Sequence, residues 1–201
     1  MPLSPTEYQS QTQRSRAPVL FWLACVAVAL CVTGLIVGAP LAAAANHQQF
    51  AVAIYHSFKT LCHQLPERSF FIAGHQFAVC ARCTGLYGGF ALVLLVYPLI
   101  RSLHSTDVPK AKWLFLAAAP LGIDFSLTFF GIWENTHMSR LLTGMLLGGV
   151  TVFYVMPGVL ELAQRASRVS SQSTIEGTFT LVSPEAIAAA PSDYSAPQRR
   201  I

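Results

Sequence analysis

Four long apolar runs interrupt an otherwise polar chain. Ala17 to Ala45 contains no Asp, Glu, Lys or Arg, and it exceeds the roughly 20 residues, at about 1.5 Å each, that a helix needs to cross the hydrocarbon of a bilayer. Three further runs follow near residues 84–100, 113–132 and 141–160, entered from Cys83, from Lys110 and Lys112, and from Arg140. The pattern predicts an all-α integral membrane protein with about four transmembrane helices, spanning 17–45, 84–100, 113–132 and 141–160 within an embedded domain at 17–164. Leu41 to Ala45 also offers small residues for signal-peptide cleavage. The run is longer than the roughly 7–15 residues of a signal core, so a retained anchor is the expectation.

The segment between the first two runs, residues 46–83, has a different rhythm. Phe50, Ile54, Phe58 and Leu61 recur at steps of three or four with Gln, His and Lys between them, which predicts an amphipathic helix lying along the interface. Pro66 ends it. Ser69 to Val79 alternates imperfectly and turns at Gly74, the pattern of a short hairpin. Residues 1–16 form a polar arm, and 165–201 is a Ser-, Ala- and Pro-rich tail expected to be disordered because it cannot bury a core.

Composition agrees with this reading: 53% of the 201 residues are hydrophobic, 11% are charged, and the mean hydropathy is +0.50, outside the range of ordinary soluble domains. The net charge of +4 comes from Lys and Arg at the ends of apolar runs. It therefore reports topology, and no nucleic-acid partner is expected. No Walker loop or dinucleotide fingerprint is present. The partner the sequence calls for is the lipid bilayer, and protein partners are left open. Arg14, Arg16, Arg101, Lys110, Lys112, Arg165 and Arg168 collect on one side of the membrane, and Lys59, Arg68, Arg82 and Arg140 on the other. Both termini are thus expected in the cytoplasm and the 46–83 loop on the outer face.

That loop and the start of the second span concentrate the chemistry. Cys62 to Gly89 holds three of the five cysteines, two of the six histidines and a Pro-Glu-Arg-Ser turn. Cys25 and Cys31, inside the first span, read as small buried hydrophobes. Three interpretations of the loop thiols are open. Cys62, Cys80 and Cys83 would be thiolate ligands of zinc or another transition metal, with His63 the favoured imidazole and His75 the other, although the spacing matches no standard zinc module. Alternatively, Cys80 and Cys83 form a redox pair favoured by Arg82 and by the helix N-terminus, as in a membrane thiol-disulfide oxidoreductase coupled to quinone. Alternatively, one pair is a disulfide that staples the loop of a structural membrane protein. Metal binding is the leading expectation, and whether the protein is an enzyme is left open.

Asp124 lies inside the third run. An ionised carboxylate there costs on the order of 2.5–3.5 kcal/mol unless it is paired, hydrated or protonated. Arg82 and Arg140 begin the neighbouring spans at the same surface and are its candidate partners; a protonated Asp124 bonded to Ser126, Thr128 or a backbone carbonyl is the alternative. Together with Glu67, Arg68 and His75, these residues are expected to be the supporting polar groups. Gly85 and Gly89, Gly144 and Gly148, and Ala117, Pro120, Asp124, Thr128 and Gly131 form small-residue stripes expected to face one another around Asp124.

Cys62-His63-Gln64, Pro66-Glu67-Arg68-Ser69-Phe70, Cys80-Ala81-Arg82-Cys83-Thr84-Gly85-Leu86-Tyr87, Asp124 and Arg140-Leu141-Leu142-Thr143-Gly144 together resemble the signature of an uncharacterised prokaryotic multi-span membrane protein family, domain of unknown function 2085. The resemblance runs from about Ala53 to Gly149. It implies a multi-pass protein of the prokaryotic cytoplasmic membrane and assigns no activity.

Overall fold

A computed structural model describes residues 17–181; the polar arm at 1–16 and the last part of the expected tail, 182–201, lie outside the described residues. Among the described residues, four helices are long and apolar enough to cross a membrane: α1 (Ala17–Ala44), α3 (Ala81–Ile100), α4 (Lys112–Phe129) and α5 (His137–Leu181), whose apolar part is His137–Ala166. Helix α2 (Gln48–Phe58) is shorter and packs on α1.

Two boundaries differ from the sequence expectation in ways that bear on the site. Helix α3 starts at Ala81, not at Thr84, because Cys80 adopts the extended conformation of an N-cap; Arg82 and Cys83 therefore sit in its first turn. Helix α5 starts at His137, so Arg140 is also a first-turn residue. At its other end α5 continues to Leu181, and the expected disordered tail from residue 165 is corrected there to helix. No proline interrupts the chain between Pro157 and Pro184, so nothing forces the helix to stop.

The 46–83 segment folds back over the end of α1. A short 3₁₀ turn, Pro66–Arg68, leads into a two-stranded antiparallel hairpin, β1 (Phe71–Ile72) and β2 (His75–Gln76), in which Phe71 faces Gln76 and Ile72 faces His75. The connecting Ala73 and Gly74 have φ of 51° and 79°, the left-handed geometry that a two-residue hairpin turn demands. A buried cluster of Ile36, Ile54, Phe58, Cys62, Ala78 and Val79 anchors the segment. A second cluster, built from Val26, Leu94, Tyr97, Val152, Met156 and Leu160, joins α1, α3 and α5 at the opposite end. There the Trp22 indole Nε1 donates to the Leu94 carbonyl at 2.9 Å.

The most extensive interface is between α3 and α5. Gly85 lies on the backbone of Leu141, Gly89 on that of Met145, Gly144 on the carbonyl of Arg82 and Gly148 on that of Leu86; a Cβ at any of the four would run into main-chain atoms. Two glycine pairs spaced four apart thus form one seam in which the backbones touch. The third small-residue stripe does not join it, which corrects that expectation. Helix α4 packs chiefly on α5 and buries only Ala117 within the described residues, and Gly122 and Gly131 face open space. Small residues in reciprocal register are absent from this contact, and polar groups near the C-terminal end of α4 add to it.

Candidate functional site

The seam brings the first turns of α3 and α5 together, and the hairpin segment closes over them. Cys62 follows α2, its amide donating to the Phe58 carbonyl at 2.9 Å, and is buried against Val79. Gln64, at φ 51°, sends its side-chain Nε2 to the carbonyls of Tyr55 (2.8 Å) and Ala78 (2.7 Å), while Gln76 Nε2 donates to the Gln64 carbonyl at 3.0 Å. The Tyr55 hydroxyl closes the set by donating to the Gln76 carbonyl at 2.5 Å. These amide clamps hold the end of α2 against the strand leading to Cys80.

As a result Cys62 and Cys80, distant in the chain, are neighbours: the Cys80 amide donates to Cys62 Sγ at 3.2 Å. Cys83 stands one turn further along, and the three sulfur atoms all lie within 4.8 Å of one another. All five cysteines are free thiols. The Cys80 thiol is held below its ordinary pKa, first by hydrogen bonding from Cys83 against the opposing effect of burial, and further by bonds from Cys62 and from the backbone amides of Cys83 and Arg82. A helix N-terminus adds to the preference for a thiolate there.

Beside the sulfurs lies a chain of charged and amide groups. Arg82 pairs with Asp124 at 2.9 Å, side chains that are 25% and 11% exposed. Asn135 donates to the same Asp124 oxygen at 2.6 Å and to its backbone carbonyl at 3.1 Å, and Arg140 Nε donates to Asn135 Oδ1 at 2.9 Å. Of the two candidate arginines, Arg82 makes the direct ion pair and Arg140 acts through Asn135. Thr128 donates to the backbone carbonyl of Asp124, not to its carboxylate.

Two cavities flank Cys80 and share Arg68 and Arg82 as walls. One, of about 350 Å³, opens over Cys62, His63, Cys80 and Cys83; the other, of about 250 Å³, lies between Arg68, Arg82, Asn135 and Arg140, with Phe125 and Phe129 on one side. The structure therefore brings together Cys62, Cys80 and Cys83, and separately Arg68, Arg82, Asp124 and Arg140. His63 is exposed at the lip of the first cavity and outside the sulfur cluster; His75 is half-buried in β2, also outside it; Glu67 is exposed in the 3₁₀ turn. Two positioning residues, Gln64 and Asn135, were not singled out from the sequence. Gln64 ends the Cys62-His63-Gln64 block, in which the cysteine and histidine carry the ligand chemistry, and Asn135 precedes the first turn that carries Arg140.

The sequence comparisons agree with this architecture. A family model described as "Predicted membrane protein (DUF2085)" matches residues 62–154, which span the sulfur cluster, the polar network and the glycine seam. The chain is 37% identical over 112 residues to the uncharacterised protein MJ1492 of Methanocaldococcus jannaschii, covering 56% of this chain and 72% of the relative. It is 35% identical over 88 residues to an uncharacterised protein of Methanothermobacter thermautotrophicus, covering 44% and 78%. No solved structure matches. With those archaeal relatives matched over more than two thirds of their length, the chain belongs to the DUF2085 family of predicted membrane proteins.

Proposed function

We propose that this membrane protein binds a transition metal ion, zinc or one of similar thiophilicity, through Cys62, Cys80 and Cys83, on the outer face of a prokaryotic cytoplasmic membrane. The observation that carries the reading is the convergence of three thiols from two separate segments within 4.8 Å. Tetrahedral zinc with Zn–S bonds of about 2.3 Å needs sulfurs roughly 3.8 Å apart, so an ion would draw them together by up to about 1 Å, within reach of side-chain rotation. Three protein ligands leave a fourth position toward the cavity over the cluster, where His63 is the imidazole at hand. A site with that open position can bind or polarise a further ligand, unlike a closed structural one. Three thiolates around a divalent ion carry a net negative charge, which Arg82 and Arg68 on the shared wall offset.

Protein purified without chelator or reductant should carry about one metal ion per chain by elemental analysis, with the loop thiols reacting only after chelation. Cys62→Ser should remove the metal while His63→Ala reduces its retention less. Metal-free protein whose Cys80 and Cys83 equilibrate with an added dithiol would replace this reading with the redox one. A reporter inserted near Gly74 tests the sidedness: activity in the cytosol alone would move the site to the inner face.

A further inference from the structure

The second cavity has a composition that metal binding does not require. Three guanidinium groups, from Arg68, Arg82 and Arg140, line it, and among the described residues the one carboxylate paired to any of them is that of Asp124. Cys80 also borders this cavity, and the single negative charge at the sulfurs, as a thiolate or as a three-thiolate metal site, leaves one positive charge over. Arg68 reaches it from the 3₁₀ turn, whose neighbour Phe70 packs against His137 at the start of α5 with ring centroids 5.7 Å apart. Arg82 comes from the first turn of α3 and Arg140 from that of α5. Arg82 Nε is buried with no hydrogen-bond partner, although a buried N–H of a charged group is costly to leave unmet. At about 250 Å³ the space is below the roughly 300–1,000 Å³ of sites for drug-sized molecules, which suits a single compact group.

We propose that this arginine-lined cavity is a binding site for a phosphate group. Guanidiniums arriving from three elements suit an anion with several oxygens directed to different sides, whereas a planar carboxylate is satisfied by one bidentate arginine. Phe125 and Phe129, both exposed on α4, make one wall apolar. The group is thus either free phosphate or the headgroup phosphate of a lipid lying along α4. The assignment rests on the arginines and stands whether or not the sulfurs hold a metal.

The test measures binding of radiolabelled inorganic phosphate by equilibrium dialysis to the full chain in neutral detergent. In parallel, native mass spectrometry reads retention of phosphatidylglycerol after extraction from mixed phosphatidylcholine and phosphatidylglycerol nanodiscs. Each is run on wild type, on Arg68→Gln and on the remote control Lys112→Gln, with metal content determined in the same samples. Saturable phosphate binding weakened about tenfold or more by Arg68→Gln, and unchanged in the control, identifies a free-anion site. No phosphate binding, but one phosphatidylglycerol per chain that only Arg68→Gln loses, identifies a headgroup site. Neither ligand held, or both variants equal to wild type, overturns the proposal, whatever the metal content. Should Arg68→Gln not fold, phenylglyoxal labelling of wild type decides: phosphate or phosphatidylglycerol should shield Arg68, Arg82 and Arg140, and equal labelling with and without them overturns it.

Discussion

Helices α3 and α4 both lean on α5, and they do so by opposite means. Along α3 the contact is one of shape: four glycines let the main chains touch, and no side chain could be added without collision. Helix α4 has no such register and buries a single alanine; near one end its Asp124 pairs with Arg82 of α3 and reaches Arg140 of α5 through the bridging amide of Asn135. A backbone seam has one solution and little tolerance. A polar tie can be broken and remade, and in this molecule it borders both cavities.

The difference is open to direct attack. The largest effect is expected from Gly144→Val, whose side chain meets the Arg82 carbonyl. Overpacking ordinarily costs about 1–3 kcal/mol where side chains can yield, and here the obstacle is main chain. Loss of monodisperse protein in detergent is the expected readout. Arg82→Met comes next: leaving Asp124 without its guanidinium should cost about 3 kcal/mol in a thermal or denaturant melt, most of it recovered in the double variant with Asp124→Leu. If the double variant is no more stable than the single, the loss does not come from an unpaired Asp124 carboxylate. Asn135→Ala removes the bridge from Asp124 to Arg140 and should cost about 1–2 kcal/mol, with the Arg82 pair intact. The smallest change should follow Gly88→Ala. Gly88 neighbours the seam residue Gly89 but faces open space, so its melting temperature should stay at or slightly above that of wild type.

Much of this contrast was legible in the chain, for reasons that explain what was not. Span-length apolar runs and glycines four apart are periodic signals that report helix and interface, and they located α1, α3, α4 and α5 and both halves of the seam. Asp124 inside an apolar run called either for an arginine, Arg82 or Arg140, or for protonation with a bond to Ser126, Thr128 or a backbone carbonyl; the ion pair with Arg82 depended on α3 beginning at Ala81, a cap effect below the resolution of hydropathy. The meeting of Cys62 with Cys80 was only one possibility in the sequence, because the clamps that bring them together are side-chain amides bonded to carbonyls. Gln64 and Asn135 carry no periodic or charge signature. Expecting α4 to share the seam failed because its stripe is small at Ala117 and Gly131 yet is never met by a complementary partner.

Fastening the hairpin segment with Gln64, Gln76 and Tyr55 has one more consequence. The loop keeps its shape through amide and hydroxyl contacts that neither oxidant nor reductant touches, so sulfur is released from architectural duty. Cys62, Cys80 and Cys83 are free to change what they are bonded to while the frame around them stays put.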